Sequence, residues 1–88
     1  MRIEYSRKFI KEFRKCPAKI KTNFKARLEI FINDQYCPAL NNHPLSGLLK
    51  NYRSINITGD WRAIFEEIDN GQIIYFVAIG THSQLYSS

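Results

Sequence analysis

A chain of 88 residues has room for one domain, residues 1–88, built round one modest core. With 44% hydrophobic and 24% charged residues, four glycines and three prolines, its composition excludes a disordered or low-complexity polymer. No apolar run nears the ~20 residues of a membrane-crossing helix, the charged start from Met1 to Lys8 lacks a signal-peptide core, and the net charge is +5; the expectation is a water-soluble, cytoplasmic protein that does not engage membranes.

In chain order, residues 2–5 alternate polar and apolar side chains and predict a short strand. Ser6 is suited to cap a helix over about 7–15, with Phe9, Ile10 and Phe13 along one face. Pro17 suits the first turn of a second helix. Ile20, Phe24, Leu28 and Phe31 recur there at helical spacing, and Ile32 is expected to widen the stripe. From Asn33 to Leu49 the pattern breaks at Asp34, Pro38, Asn41, Asn42, Pro44 and Gly47, predicting a loop with a helical turn. Three strands follow: Tyr52–Thr58, Trp61–Ile68 after a Gly59-Asp60 turn, and Gln72–Gly80 after an Asn70-Gly71 hairpin. The fold class is therefore α+β, in the order β-α-α-β-β-β. Two N-terminal helices pack on one face of a small, mainly antiparallel sheet. The other face is partly open and carries Tyr52, Ser54 and Asn56.

The charge is uneven. Residues 1–30 carry Arg2, Arg7, Lys8, Lys11, Arg14, Lys15, Lys19, Lys21, Lys25 and Arg27 against Glu4, Glu12 and Glu29. Such a block attracts polyanions through counterion release, and an acidic protein would satisfy the same field. A solvated basic face without a dedicated ligand is the plain alternative. Cys16 and Cys37 each precede a proline and lack zinc-ligand spacing, so free thiols are expected.

The chain has two histidines, His43 in the loop and His82 at the end of the last strand. Histidine is the side chain best suited to proton transfer near neutral pH. No short His-x-x-x-His spacing, nucleophile elbow or Gly-rich phosphate loop occurs. Metal-free, cofactor-free acid–base chemistry on a phosphodiester is the enzymatic reading that remains.

Four strings then stand in register: His43-Pro44-Leu45-Ser46-Gly47, Tyr52-Arg53-Ser54, Gly59-Asp60-Trp61-Arg62 and Gly80-Thr81-His82-Ser83-Gln84-Leu85-Tyr86. Over residues 43–86 they resemble RelE/ParE-superfamily toxins of the YafQ type; the helical first half resembles them in pattern alone. The resemblance implies a RelE-like fold, a cognate antitoxin partner, and cleavage of mRNA, usually on the ribosome. In that chemistry the ribose 2′-OH attacks the adjacent phosphorus, which makes RNA the substrate. By the same resemblance, His82 is the general acid, and His43 is a base or orients the scissile phosphate. Asp60 takes the 2′-OH proton or fixes a histidine tautomer, unless it merely shapes the turn after Gly59. Arg62 grips the phosphate, unless it pairs with Glu66. Tyr86 stacks on a base or covers the sheet edge. From the residues themselves, Lys50 and Arg53 are phosphate contacts or solvated charges, Asn56 is suited to hydrogen-bond a phosphate or a base, and Trp61 is assigned to the core.

Two positions depart from the family pattern: Asn56 stands where a second catalytic histidine is expected, and Ala78 where an arginine is. Asn56 can hydrogen-bond but cannot exchange a proton near neutral pH. The alternatives are a degenerate toxin that only binds its antitoxin and a ParE-like inhibitor of DNA gyrase. Arg62 and Ile64 share a side of their strand, so a bulge near Gly59 is needed to aim Arg62. The enzymatic reading also requires Arg62 and His82 on one face of the sheet.

Overall fold

A computed structural model describes residues 1–86. Strand β1 (Arg2–Tyr5) leads into helix α1 (Arg7–Arg14) and helix α2 (Ala18–Asn33). Strands β2 (His43–Pro44), β3 (Arg53–Thr58), β4 (Trp61–Ile68) and β5 (Ile73–Thr81) follow, and helix α3 (His82–Tyr86) ends the described chain. The sheet order is β1-β5-β4-β3-β2, with β1 parallel to β5 and every other pair antiparallel. The α+β fold and the expected element order hold.

Local chemistry explains the boundaries. Ser6 caps α1, its Oγ accepting the Phe9 N–H at 2.9 Å. Pro17 is not inside α2 but caps it in extended conformation, where its missing N–H costs nothing. At the β4–β5 hairpin the Gln72 N–H donates to Asp69 O across Asn70 and Gly71, both at positive φ, as the Asn-Gly pair predicts. The core joins Phe9, Ile20, Phe24 and Phe31 of the helices to Ile55, Ile57, Phe65 and Phe76 of the sheet. Phe76 lies at its centre, with ring centroids 5.3 Å from Phe24 and 5.5 Å from Phe65.

The apolar stripes are narrower than the sequence predicts. Ile10 and Ile32 are 40% and 52% exposed. Each follows a fully buried phenylalanine by one residue, a rotation of about 100° that carries it off the contact line.

The loop expected at 33–49 contains 3-10 turns at Pro38–Leu40 and Gly47–Leu49 and the two-residue strand β2. The larger difference is α3: His82 begins a helix instead of ending a strand. The cause is a reciprocal cap. The Gln84 N–H donates to Thr81 Oγ1 at 3.3 Å, and the Thr81 N–H donates to Gln84 Oε1 at 2.9 Å, the Thr-x-x-Gln form of a capping box.

The sheet's second face is less polar than expected. Ser54, Ile64 and Ala78 stand in register across β3, β4 and β5 and are all buried. Leu49, Tyr52 and Leu85 join Ile64 and Ala78 around a cavity of about 550 Å³. Ile64 therefore belongs to this second face and not to the main core. That removes the conflict with Arg62, which follows the same parity. A bulge does occur near Gly59, although Arg62 does not require it: the β3–β4 register skips Ile57, between the pairs Asn56–Arg62 and Thr58–Trp61. Among the described residues no helix is long and apolar enough to cross a membrane.

Candidate active site

The strand ends and α3 bring His43, Arg62, His82 and Tyr86 together. With Asn41 and Leu45 they line one open cavity of about 390 Å³. Arg62 and His82 thus share a face of the sheet. Among the described residues no carboxylate side chain lines the cavity, so its fixed charge and donors favour an anion.

His43 is held by its own loop. Asn41 adopts φ +46° and turns its carbonyl to within 2.7 Å of His43 Nδ1. A carbonyl only accepts, so Nδ1 carries the proton and Nε2 of the neutral ring keeps its lone pair. Arg62 curls over the β3–β4 turn, its Nη1 donating to Gly59 O at 2.8 Å and Trp61 O at 3.0 Å. It does not pair with Glu66. The other N–H groups of the guanidinium make no bond among the described residues. His82 is exposed, and its ring packs against Tyr86 with centroids 4.6 Å apart.

The other predicted positions divide. Asp60 meets the site through its main chain: its carbonyl accepts the His82 N–H at 2.8 Å and so anchors α3. Its side chain is outside the cavity lining, and the His43 tautomer is set by Asn41 instead. Asn56 lies opposite Arg62, and among the described residues its buried Oδ1 has no hydrogen-bond partner; neither does Ser54 Oγ, two residues along the same strand. Arg53 is turned away, because odd positions of β3 face the helices. Its Nε donates to Asn42 Oδ1 at 2.8 Å and its guanidinium lies over the Tyr36 ring. Lys50 is exposed after the second 3-10 turn, outside the cavity lining. Trp61 packs partly buried against the core, as expected.

Sequence reasoning missed Asn41, whose part is a backbone carbonyl that no side-chain pattern encodes. It also missed the capping box at Thr81 and Gln84, which a Thr-x-x-Gln scan would have found. Among the described residues no cluster of three or more His, Cys, Asp or Glu could hold a metal ion.

Comparison with known proteins finds the same fold in bacterial toxins. The crystal structure of YafQ from E. coli strain BL21(DE3) superposes with a TM-score of 0.81 at 26% identity, covering 98% of this chain and 99% of that one. YafQ in the E. coli DinJ-YafQ complex gives 0.75 at 27% identity, again over 98% and 99%. A YoeB/ParE toxin from Agrobacterium tumefaciens shares the fold at 15% identity, with a TM-score of 0.77 over 93% and 99%. The search of curated proteins finds no match. The family model described as the bacterial toxin of type II toxin-antitoxin system, YafQ, matches residues 1–87, and the chain belongs to that family.

Proposed function

We propose that this toxin acts as a metal-independent endoribonuclease on mRNA held in the ribosome, and that an antitoxin neutralises it as a DinJ-like partner. The observation that carries the reading is the convergence of His43, Arg62 and His82 on one cavity, with the His43 proton fixed on Nδ1.

The residues divide the work of a 2′-OH attack. His43 Nε2 takes the 2′-OH proton as the O2′–P bond forms. Arg62 turns its unengaged N–H groups to the equatorial oxygens of the phosphorane, where charge builds up. The P–O5′ bond breaks, and His82 gives the leaving O5′ its proton. The products are a 2′,3′-cyclic phosphate and a free 5′-OH. Asn56 Oδ1 is buried and the residue is outside the cavity lining, so what Asn56 offers a phosphate or base beside Arg62 is its amide N–H₂. Tyr86 supports His82 and offers a face for stacking. Asp60 acts as the anchor of α3. Arg53 drops out of the substrate contacts, since its donors are engaged elsewhere. The basic side chains of α1 and its C-terminal cap (Arg7, Lys8, Lys11, Arg14 and Lys15) supply the long-range attraction for RNA phosphates, with Lys50 as a further exposed charge.

Asn56 and Ala78 favour one second reading, a toxin that binds its antitoxin but cleaves weakly. End-group analysis of cleaved reporter mRNA separates the two. Cyclic-phosphate ends that vanish when the nucleotide 5′ to the cut is 2′-deoxy support the mechanism. Intact RNA from folded protein supports the second reading, and supercoiling inhibition without RNA cleavage would point to gyrase.

A further inference from the structure

Arg27 lies in α2, away from the cavity, yet its guanidinium holds two carbonyls from the segments that build it. Nε donates to Ile57 O at 3.0 Å, and Nη1 donates to Ala39 O at 3.1 Å. Ile57 is the extra residue of the β3–β4 bulge, next to Asn56 and the Asn56–Arg62 pair. A bulge leaves its extra residue outside the ladder, so this carbonyl takes its donor from a side chain. Ala39 lies in the 3-10 turn Pro38–Leu40, which Asn41 closes at φ +46°. Asn41 O is the acceptor that fixes His43 Nδ1. On the cavity side, the loop and β3 are joined by a ladder of only two residue pairs, His43–Ser54 and Pro44–Arg53.

We infer that Arg27 is a positioning residue: one guanidinium sets the spacing between the His43 loop and the bulge that places Asn56 opposite Arg62. The planar fork explains why an arginine is used. It presents donors in fixed directions to two acceptors at once, whereas a lysine ammonium is a point charge on a flexible stem. Among the described residues Arg27 has no ion pair, so its bonds to the two carbonyls are its polar contacts. This residue belongs to the basic block that the sequence assigns to polyanion attraction, and the structure gives it a local task beside that long-range charge. The functional consequence rests on the proposed acid–base reading. The effect on the His43 ring does not.

The test uses 15N-histidine spectra of the full chain as wild type, Arg27→Lys and Arg27→Gln, with urea unfolding and cleavage kinetics alongside. In the wild type, His43 gives ring-nitrogen shifts of a single Nδ1–H tautomer. In both variants they move towards an average of the two tautomers, while His82 shifts stay fixed. kcat falls roughly 10- to 100-fold with KM nearly constant. Unchanged His43 shifts in a folded variant would overturn the proposal, as would equal movement of His82, which would indicate general loosening. Should both variants fail to fold, exchange of the wild-type Arg27 Nε–H decides: slow exchange supports the bridge, and free exchange overturns it. A wild type that cleaves no RNA would refute the proposed function while leaving the tautomer result to judge Arg27.

Discussion

Ser54 allows the sharpest test of the packing beneath the site. It is fully buried, and its Oγ has no hydrogen-bond partner among the described residues. A stranded hydroxyl costs about 1–3 kcal/mol in lost hydration. Ser54→Ala removes that cost and forfeits the dispersion contacts of one atom, about 0.5 kcal/mol. The variant should therefore gain about 1 kcal/mol, which for a domain of this size raises Tm by about 4–8 °C. Calorimetry and urea unfolding in one buffer measure this, and an unchanged m-value would show that the same surface is exposed on unfolding. A fall in Tm would refute the reasoning, since it would mean that the hydroxyl is satisfied, for instance by a water shared with Asn56 Oδ1. Ser54 stands in register with His43 and two residues from Asn56. Keeping an unpaired polar atom there fits the common exchange of stability for function.

Asn56→His restores the side chain that the family pattern expects, and cleavage should rise at least about 10-fold, towards the ~10²–10⁴ typical of an acid–base group; a loss measured by reporter cleavage would show that the amide itself is needed. Thr81→Val deletes one half of the capping box and should cost about 1 kcal/mol in urea unfolding, with a larger loss of cleavage than of stability because His82 is the first residue of α3; equal stability would mean the cap is idle. Burial pushes the Cys16 thiol above its usual range, opposed by Lys21 and reinforced by Glu12, so Cys37 should react first with a thiol reagent. A group whose folded value is raised contributes stability that is present at neutral pH and lost as the pH climbs through that value. Urea midpoints should accordingly fall more steeply for wild type than for Cys16→Ala once the pH rises above the ordinary thiol value of about 8.5, and parallel curves would contradict the assignment. Tyr5, also raised by burial, acts in the same direction in both proteins and cancels in the comparison.

The sequence carried most of the architecture because its signals were local. Ser6, Asn70-Gly71 and the spacing of Ile20, Phe24 and Phe31 each act within one element, and each appears as expected. What escaped was relational. The two-residue β2 has no propensity of its own and exists because His43 and Pro44 meet Ser54 and Arg53 across the chain. Strand parity identified Tyr52, Ser54 and Asn56 as second-face residues, but it could not foresee that Leu49 and Leu85 would gather over that face. At the site, the meeting of His43, Arg62 and His82 followed from the family motifs, whereas Arg53 was separated from them by a one-residue difference in parity. The partners that aim these groups are carbonyls of Asn41, Gly59 and Asp60. Backbone groups are common to all residues, so no sequence pattern singles them out.

The central claim is that His82 acts in cleavage of translated mRNA. It is tested most directly by primer extension on a reporter mRNA in a cell-free translation reaction, with wild-type protein or folded His82→Ala. Cuts within codons that require both ribosomes and His82 are the expected result. An intact reporter with folded wild-type protein, or an undiminished pattern with His82→Ala, would contradict it.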